Sequence, residues 1–254
     1  YIALVATTHT FDVLIGSTPL WFGGEFLKNF TTVLTQGLKA AGGIPVWVMM
    51  ANSLVMALGI AIGKIAISIT AAYAIVYFRF PGRELCFVLI FITLMMPVEV
   101  RIVPTFQVAA NLNFIDSYLG LVLPLIASAT ATFLYRQMFM TIPAELLEAA
   151  RIDGAGPWRF FVDVVLPLSR TNTAALFVVL FIYGWNQYLW PLLVTNQESM
   201  YTIVMGIQRM VNIPDAVPEW NLIMAVALLG MLPPLLVVLG MQKLFVRGLV
   251  ETEK

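Results

Sequence analysis

Charged side chains interrupt two apolar segments of this sequence that are otherwise suited to cross a membrane. Lys64 lies near the middle of segment 43–78, and Glu99 and Arg101 lie inside segment 85–107. A charge at the centre of a membrane span costs about 3 kcal/mol on insertion scales, so each of these residues is a candidate functional residue. Because lysine and arginine both bind phosphate groups, Lys64 and Arg101 are candidates to favour passage of an anion.

A structural role is the alternative for the same charges. Glu99 and Arg101 are two residues apart, so on a regular helix they point in nearly opposite directions and do not neutralise each other. Lys64 could instead pair with Glu99, or the charges could contact a partner subunit. Pro97 and Pro104 bracket Glu99 and Arg101, which predicts a kinked, irregular helix beside a cavity.

Polar and aromatic residues also cluster near the end of the apolar segment 171–193, in YGWNQYLWPLL. Asn186 is a candidate residue of a membrane pathway. Tryptophan is common at membrane surfaces, so we expect Trp190 to anchor the helix there. In an earlier segment Gly59 and Gly63 are four residues apart, which permits close helix packing inside the chain or against a partner.

The composition indicates an integral membrane protein. The 254 residues are 60% hydrophobic and only 11% charged, whereas soluble domains carry about 25% charge. The formal net charge is zero, which argues against attraction to nucleic acid. With one cysteine and one histidine, the chain has no intramolecular disulfide framework, and a histidine-based metal site is not expected.

Five segments have the length and apolar character of membrane spans, which need roughly 20 residues. They are 43–78, 85–107, 117–135, 171–193 and 220–242. The sequence begins in YIALVATT, which resembles the end of an apolar run, so we expect a further helix before it and six spans in all. The predicted fold is an all-α polytopic helical bundle, with residues 1–254 forming one transmembrane domain.

Lysine and arginine are unevenly distributed between the two sets of loops. Nine of the fourteen fall on one side: Arg79, Arg83, Arg136, Arg151, Arg159, Arg170, Lys243, Arg247 and Lys254. Three fall on the other, at Lys28, Lys39 and Arg209. Because positive charge concentrates in cytoplasmic loops, we expect the loop 136–170 to be cytoplasmic.

The loop 136–170 is predicted to form two short helices. Thr141 is suited to cap the first helix, with Pro143 in its first turn, and Gly154 to end it. Pro157 is suited to open the second helix, and Pro167 to end it.

On the second helix, four apolar residues follow the i, i+3, i+4, i+7 spacing of one face: Trp158, Phe161, Val162 and Val165. Arg159 and Asp163 lie on another face at i, i+4 spacing, where opposite charges attract. From these residues alone, the loop is either a hairpin lying on the membrane surface or a docking element for a cytoplasmic partner.

EAARIDGA, followed by an apolar stretch and LPLS, resembles the EAA loop of binding-protein-dependent ABC importer permeases. Further stretches are similar to carbohydrate-type permeases of this family: FRFPGR, YGWNQYLWPLL, EWNLIMA and FVRGLVETEK. Together they cover most of residues 46–254. The resemblance implies an ATPase-docking loop comprising Glu148, Ala149, Ala150, Asp153, Gly154, Trp158 and Phe161.

Three variants resemble the branch of the family that imports glycerol-3-phosphate. They are Gln187, where common sugar permeases have glutamate, Asn172, where they often have proline, and PVEVRI at 97–102. Gln187 in place of an acidic residue would remove a repulsive charge from the route of a phosphate-bearing substrate. The implied substrate is glycerol-3-phosphate or a glycerophosphodiester; a neutral sugar of the maltose kind is the alternative.

The same resemblance implies a type I importer permease in the bacterial inner membrane. Its expected partners are a second, related permease, two ATPase subunits and an external binding protein. The chain itself is expected to be no enzyme and to bind no cofactor, with ATP and Mg²⁺ used by the ATPase subunits. Consistent with this, Gly63-Lys64 lacks the GxxxxGK[ST] pattern of a phosphate-binding loop.

Overall fold

The computed structural model describes residues 1–9, 21–37, 42–93, 96–212 and 217–250; for residues 98–99 and 243–250 it describes the backbone alone. Within these ranges every regular element is helical, as the all-α prediction requires. The α-helices are α1 (Ile2–Val5), α2 (Phe26–Thr35), α3 (Val46–Tyr77), α4 (Arg83–Ile92), α5 (Val98–Asn111), α6 (Tyr118–Val122), α7 (Ala129–Met140), α8 (Ala144–Ile152), α9 (Pro157–Phe160), α10 (Leu166–Trp185), α11 (Leu189–Val194), α12 (Ile203–Val211) and α13 (Trp220–Val250). Short 3₁₀ turns occupy Leu123–Leu125 and Glu198–Met200.

Three described helices are long and apolar enough to cross a membrane: Val46–Tyr77, Pro157–Trp185 and Trp220–Gln242. The pair Tyr118–Leu125 and Ala129–Met140, bent by 48°, could provide a fourth span. These helices confirm the polytopic all-α prediction. The predicted spans 43–78 and 220–242 correspond closely to α3 and to the apolar part of α13.

The predicted span 85–107 was wrong as one continuous helix. In the described residues α4 ends at Ile92 and α5 begins at Val98, and each is shorter than the roughly 20 residues that a span needs. Pro97 immediately precedes α5, and a residue before proline is disfavoured in helical conformation. Pro104 lies inside α5 and does not end it.

The predicted span 171–193 was wrong at both ends. The helix runs from Pro157 to Trp185, with a π-helical turn at Phe161–Val165 between α9 and α10. Pro167 therefore lies in the first turn of α10 and does not terminate a separate helix. The wider π turn precedes the proline, which lacks the N–H that a regular α-helix would use there.

Two compact units divide the chain, and each is built from segments that are distant in sequence. The first unit comprises Tyr1–Ala57, Ala109–Leu121 and Ile182–Val237. The second comprises Leu58–Val108, Val122–Phe181 and the residues from Val238 onward. Because helices such as α3 pass from one unit to the other, the units are not sequential domains.

Buried aromatic residues form the core of the second unit and support the 136–170 loop. The cluster contains Ile69, Ala72, Tyr73, Tyr135, Phe139, Phe160, Phe161 and Val165. The ring of Tyr73 lies 4.7 Å from that of Phe161, and the ring of Tyr77 lies 5.3 Å from that of Phe160, centroid to centroid. The Tyr73 hydroxyl also donates to the Pro157 carbonyl at 2.7 Å. The loop is therefore fixed to the end of α3.

A close helix contact in the second unit explains the paired glycines of α3. A Cβ added at Gly59 would lie 2.8 Å from a methyl carbon of Val122, and one at Gly63 would lie 2.5 Å from Ile126 Cγ2. Both glycines therefore serve packing inside the chain, which decides between the two alternatives left by the sequence.

Polar side chains hold the segment 194–203 in the first unit. The Asn52 amide donates to the carbonyls of Ser199 and Tyr201 at 2.8 and 3.0 Å, and accepts from the Tyr118 hydroxyl at 2.7 Å. The Asp116 carboxylate accepts from two backbone amides of the same segment, those of residues 196 and 197. These long-range bonds were not anticipated from the sequence, although an asparagine inside an apolar run was a signal for one of them.

Candidate functional site

The first helix of the 136–170 loop ends as the sequence predicted and begins differently. α8 starts at Ala144, with Pro143 at the N-cap position and no side-chain cap. The prediction that Thr141 caps this helix was wrong, because its hydroxyl donates back to the Met138 carbonyl at 2.7 Å, closing α7. Glu145 lies in the first turn, where the helix dipole favours a negative charge.

Gly154 makes the sharp turn after α8, as predicted. Its φ of +74° lies in the left-handed region that glycine adopts without steric cost. The turn lets the Ala155 amide donate to the Ala150 carbonyl at 2.8 Å, which satisfies a carbonyl at the helix end.

Two faces of α8 have different surroundings. Leu147 and Ala150 are partly buried against the aromatic core of the second unit. Glu148, Ala149, Asp153 and Gly154, all predicted docking residues, are exposed. Ile152, a large apolar residue beside them, is 86% exposed.

Some residues of the predicted apolar face of the second helix are buried in the core, and others are exposed. Gly156 precedes α9 and Pro157 occupies its first position, as predicted. Trp158 is 72% exposed, whereas Phe161 is only 4% exposed and belongs to the aromatic core. The rings of Trp158 and Phe161 lie 5.6 Å apart, as the spacing predicts, but the predicted stripe is not one surface, since Phe161 and Val165 are buried and Trp158 and Val162 are exposed. Trp158 is available to a partner, and Phe161 instead packs inside the unit.

Arg159 and Asp163 form the predicted ion pair on the exposed surface of this segment. The Arg159 Nε lies 3.2 Å from the Asp163 carboxylate, and both side chains are largely exposed. Exposed pairs of this kind contribute at most about 1 kcal/mol, so the pair adds little to stability.

The intramembrane cations lie in the second unit. Lys64 is 7% exposed and lies within α3, which continues through it without interruption. Arg101, on α5, is exposed and lies near enough to interact electrostatically with Lys64. The prediction that these two cations favour passage of an anion stays a prediction. The side chain of Glu99 lies outside the described part of the structure, so the predicted alternative of a Lys64–Glu99 pair stays a prediction.

Asn186 and Gln187 follow the end of a long helix in the first unit. The helix stops at Trp185 and α11 begins at Leu189, so residues 186–188 lie between two helices. Asn186 is exposed, and the Gln187 side chain donates to the Tyr183 carbonyl at 3.1 Å. Breaks of this kind present polar groups at membrane depth in transporters.

Trp190 was predicted to anchor a membrane surface, and this was wrong. Its side chain is 3% exposed, and its indole N–H donates to the Gly120 carbonyl at 2.9 Å. Trp185 is buried in the same way and donates to the Gly230 carbonyl at 3.0 Å. Both tryptophans fix the ends of the 186–188 break inside the first unit.

The positions of potential metal ligands can be compared across the described residues. There, no three His, Cys, Asp or Glu side chains are grouped so that they could hold a metal ion.

Comparison with known proteins supports a transport role. The family described as "Binding-protein-dependent transport system inner membrane component" matches residues 64–251. The chain is 56% identical, over its full length and 90% of the relative's, to the "sn-glycerol-3-phosphate transport system permease protein UgpE" of Salmonella typhimurium. The proteins of that name from Agrobacterium fabrum and Yersinia enterocolitica are 56% and 57% identical, with the same coverage.

A solved structure shares the fold at low sequence identity. It is described as the "crystal structure of a bacterial ABC transporter involved in the import of the acidic polysaccharide alginate". The match has a TM-score of 0.81 at 20% identity and covers 96% of this chain and 88% of the other.

These matches and the membrane-spanning helices agree on the class of protein. The chain is a multi-pass protein of the bacterial inner membrane and a transport component that works in a complex with other subunits. It belongs to the family of binding-protein-dependent transport system inner membrane components, as a permease of an ABC importer.

Proposed function

We propose that this chain carries sn-glycerol-3-phosphate, or a glycerophosphodiester, across the inner membrane. The observation that carries the proposal is the full-length identity of 53–57% to permeases named for sn-glycerol-3-phosphate transport. The neighbouring cations Lys64 and Arg101 give physical support, since a phosphate group is attracted to paired positive charges. Gln187 adds no negative charge to the polar break 186–188.

The complex that we propose contains a second, related permease, two ATPase subunits and an external binding protein. The ATPase subunits bind ATP and Mg²⁺, and this chain binds no cofactor. Substrate reaches the outward side on the binding protein. ATP binding closes the ATPase dimer, and the 136–170 loop transmits that movement so that the permeases change from outward to inward access.

The loop surface offered to the ATPase is formed by the exposed residues of α8 and α9. It comprises Glu148, Ala149, Asp153, Gly154 and Trp158, with Ala150 partly buried behind them. The buried contacts of Phe161 and Tyr73 connect this surface to α3. Movement of the loop is therefore transmitted to a membrane-spanning helix through packed rings.

ATPase activity of the reconstituted complex, with its binding protein, tests the substrate. The panel contains glycerol-3-phosphate, glycerophosphocholine, maltose and trehalose. Stimulation by the phosphate compounds alone is expected. Stimulation by a neutral sugar alone would contradict the proposed substrate and leave the family assignment intact.

Substitutions that change the charge of the loop test the docking surface. Glu148→Lys and Gly154→Asp should reduce substrate-stimulated ATPase activity by about tenfold, within the range of typical coupling energies. Asp163→Lys is the matched control, because it reverses an exposed carboxylate of the same loop that lies outside the docking surface. Membrane insertion should be unchanged in all three variants. Normal transport by both docking variants would remove the docking assignment.

A further inference from the structure

A cleft of about 740 Å³ lies within the second unit, between the end of α3 and the helix α8. Its size falls in the range of about 300–1,000 Å³ that is typical of small-molecule sites. α3 contributes the wall that contains Tyr77, and α8 contributes Leu147 and Glu148. The ATPase-docking surface proposed above shares Glu148 and Ala150 with this cleft but includes none of its arginines.

Three arginines line the cleft and give it a net positive charge. They are Arg79, Arg83 and Arg151, and Glu148 is the one acidic residue among the lining residues. Arg83 forms an ion pair with Glu84, whose carboxylate lies 3.3 Å from the Arg83 Nε. Among the side chains that the structure describes, no carboxylate lies within ion-pair distance of Arg79 or Arg151. The cleft therefore presents planar guanidinium donors that are suited to an anion with several acceptor oxygens.

Aromatic rings form the remainder of the wall. Tyr73 and Tyr77 both line the cleft, but their hydroxyls already donate, to the carbonyls of Pro157 and Phe139. These tyrosines, with Phe78 and Phe160, therefore offer mainly apolar ring surface to a ligand. The ligand that matches such a cleft has a charged group for the arginines and an apolar part for the rings.

The position of the cleft arginines along the chain also favours a ligand with a charged group and an apolar part. Tyr77 ends the apolar helix α3, and Arg79 and Arg83 follow directly in the loop that the charge distribution predicts to be cytoplasmic. Phe78 and Leu85, beside them, are 43% and 61% exposed. Basic pockets at the cytoplasmic ends of membrane helices bind the head groups of anionic lipids.

The cleft and the docking surface share Glu148 and Ala150 and otherwise use different residues of α8. Leu147, Glu148 and Arg151, at i, i+1 and i+4, line the cleft. Ala149 and Ile152 are exposed and do not line it. At 100° per residue the mean directions of these two sets are about 120° apart around the helix. A bound ligand would therefore sit behind the loop and leave Ala149 and Ile152 free to contact another subunit.

We propose that this cleft binds a phosphate group through Arg79, Arg83 and Arg151, and that its source is an anionic phospholipid of the cytoplasmic leaflet. The apolar wall and the neighbouring exposed side chains favour a lipid over free phosphate, which has no apolar part. The lipid fills the space between the membrane helix α3 and the loop helix α8. The inference is independent of the substrate proposed for transport.

Native mass spectrometry of the purified importer complex, titrated with phosphatidylglycerol or phosphatidylcholine in neutral detergent, tests the proposal. The wild-type complex should retain phosphatidylglycerol in preference to phosphatidylcholine. The double variant R79Q/R83Q should lose that preference by roughly tenfold or more, since each cation contributes about 1 kcal/mol to an anionic surface. The control R159Q/R170Q removes the same charge from two exposed arginines of the second unit that do not line the cleft.

Equal loss in both double variants, or no preference in the wild type, would overturn the site. A second arm titrates the delipidated complex with inorganic phosphate. Phosphate binding that depends on Arg79, without retention of phosphatidylglycerol, would overturn the lipid source and assign the cleft to a free anion. If R79Q/R83Q does not assemble, the single variant R79Q replaces it, because the exposed Arg79 side chain makes no described ion pair.

Discussion

The turn at Gly154 allows a direct test of how the shape of the loop controls coupling. Its φ is +74°, and a Cβ at this position would meet no atom within 4 Å. The cost of Gly154→Val is therefore backbone strain alone, about 1–2 kcal/mol for a left-handed L-residue. A strain of that size lowers the population of the native turn by about 5- to 30-fold relative to alternatives. The Ala155–Ala150 hydrogen bond that ends α8 depends on this turn.

The assay is substrate-stimulated ATPase activity of the reconstituted complex, with subunit assembly measured by size-exclusion chromatography. Gly154→Val should assemble but lose most of the stimulation, because the end of α8 no longer holds its docking geometry. Gly154→Asn should retain more activity, since asparagine tolerates the left-handed region. Gly156→Val is the matched control: its φ is −69° and it also has no atom within 4 Å of an added Cβ. Full stimulation in Gly154→Val, or equal loss in Gly156→Val, would refute the reasoning.

Three further substitutions test packing and charge. Gly63→Ala should lower the free energy of unfolding by about 1–3 kcal/mol, measured by denaturation in detergent, because its Cβ would lie 2.5 Å from Ile126 Cγ2. Adding Ile126→Ala should recover part of the lost stability. No recovery in the double variant would contradict this contact. Trp190→Phe should cost about 1–3 kcal/mol, because the buried Gly120 carbonyl loses its indole donor; an unchanged unfolding midpoint would show that the bond is unimportant. Gln187→Glu should slow uptake of a phosphate substrate at normal expression, and unchanged uptake would refute the charge argument.

Features that depend on neighbouring residues were predictable from the sequence. The helix α3 follows from the length of its apolar run, and α13 likewise. The turn at Gly154 follows from the need for a left-handed residue after a helix. The Arg159–Asp163 ion pair follows from i, i+4 spacing.

Features that depend on distant residues were not predictable in the same way. Trp190 looked like a membrane-surface residue because nothing near it in sequence shows that its partner is the Gly120 carbonyl, 70 residues away. Phe161 was expected to be a docking residue from the family resemblance, and no local signal revealed that it packs in the aromatic core with residues of α3 and α7. The net positive cleft formed with Arg79 likewise combines residues far apart along the chain.

The π turn at Phe161–Val165 has a consequence for how this loop could change during evolution. One residue fewer there would restore a regular α-helix and rotate everything that precedes it by about 100° relative to α10. Trp158 and the α8 docking surface would then face a different direction with every contact residue still present. The direction in which the loop faces its partner is therefore set by the number of backbone residues in this turn, independently of the side chains that make the contact.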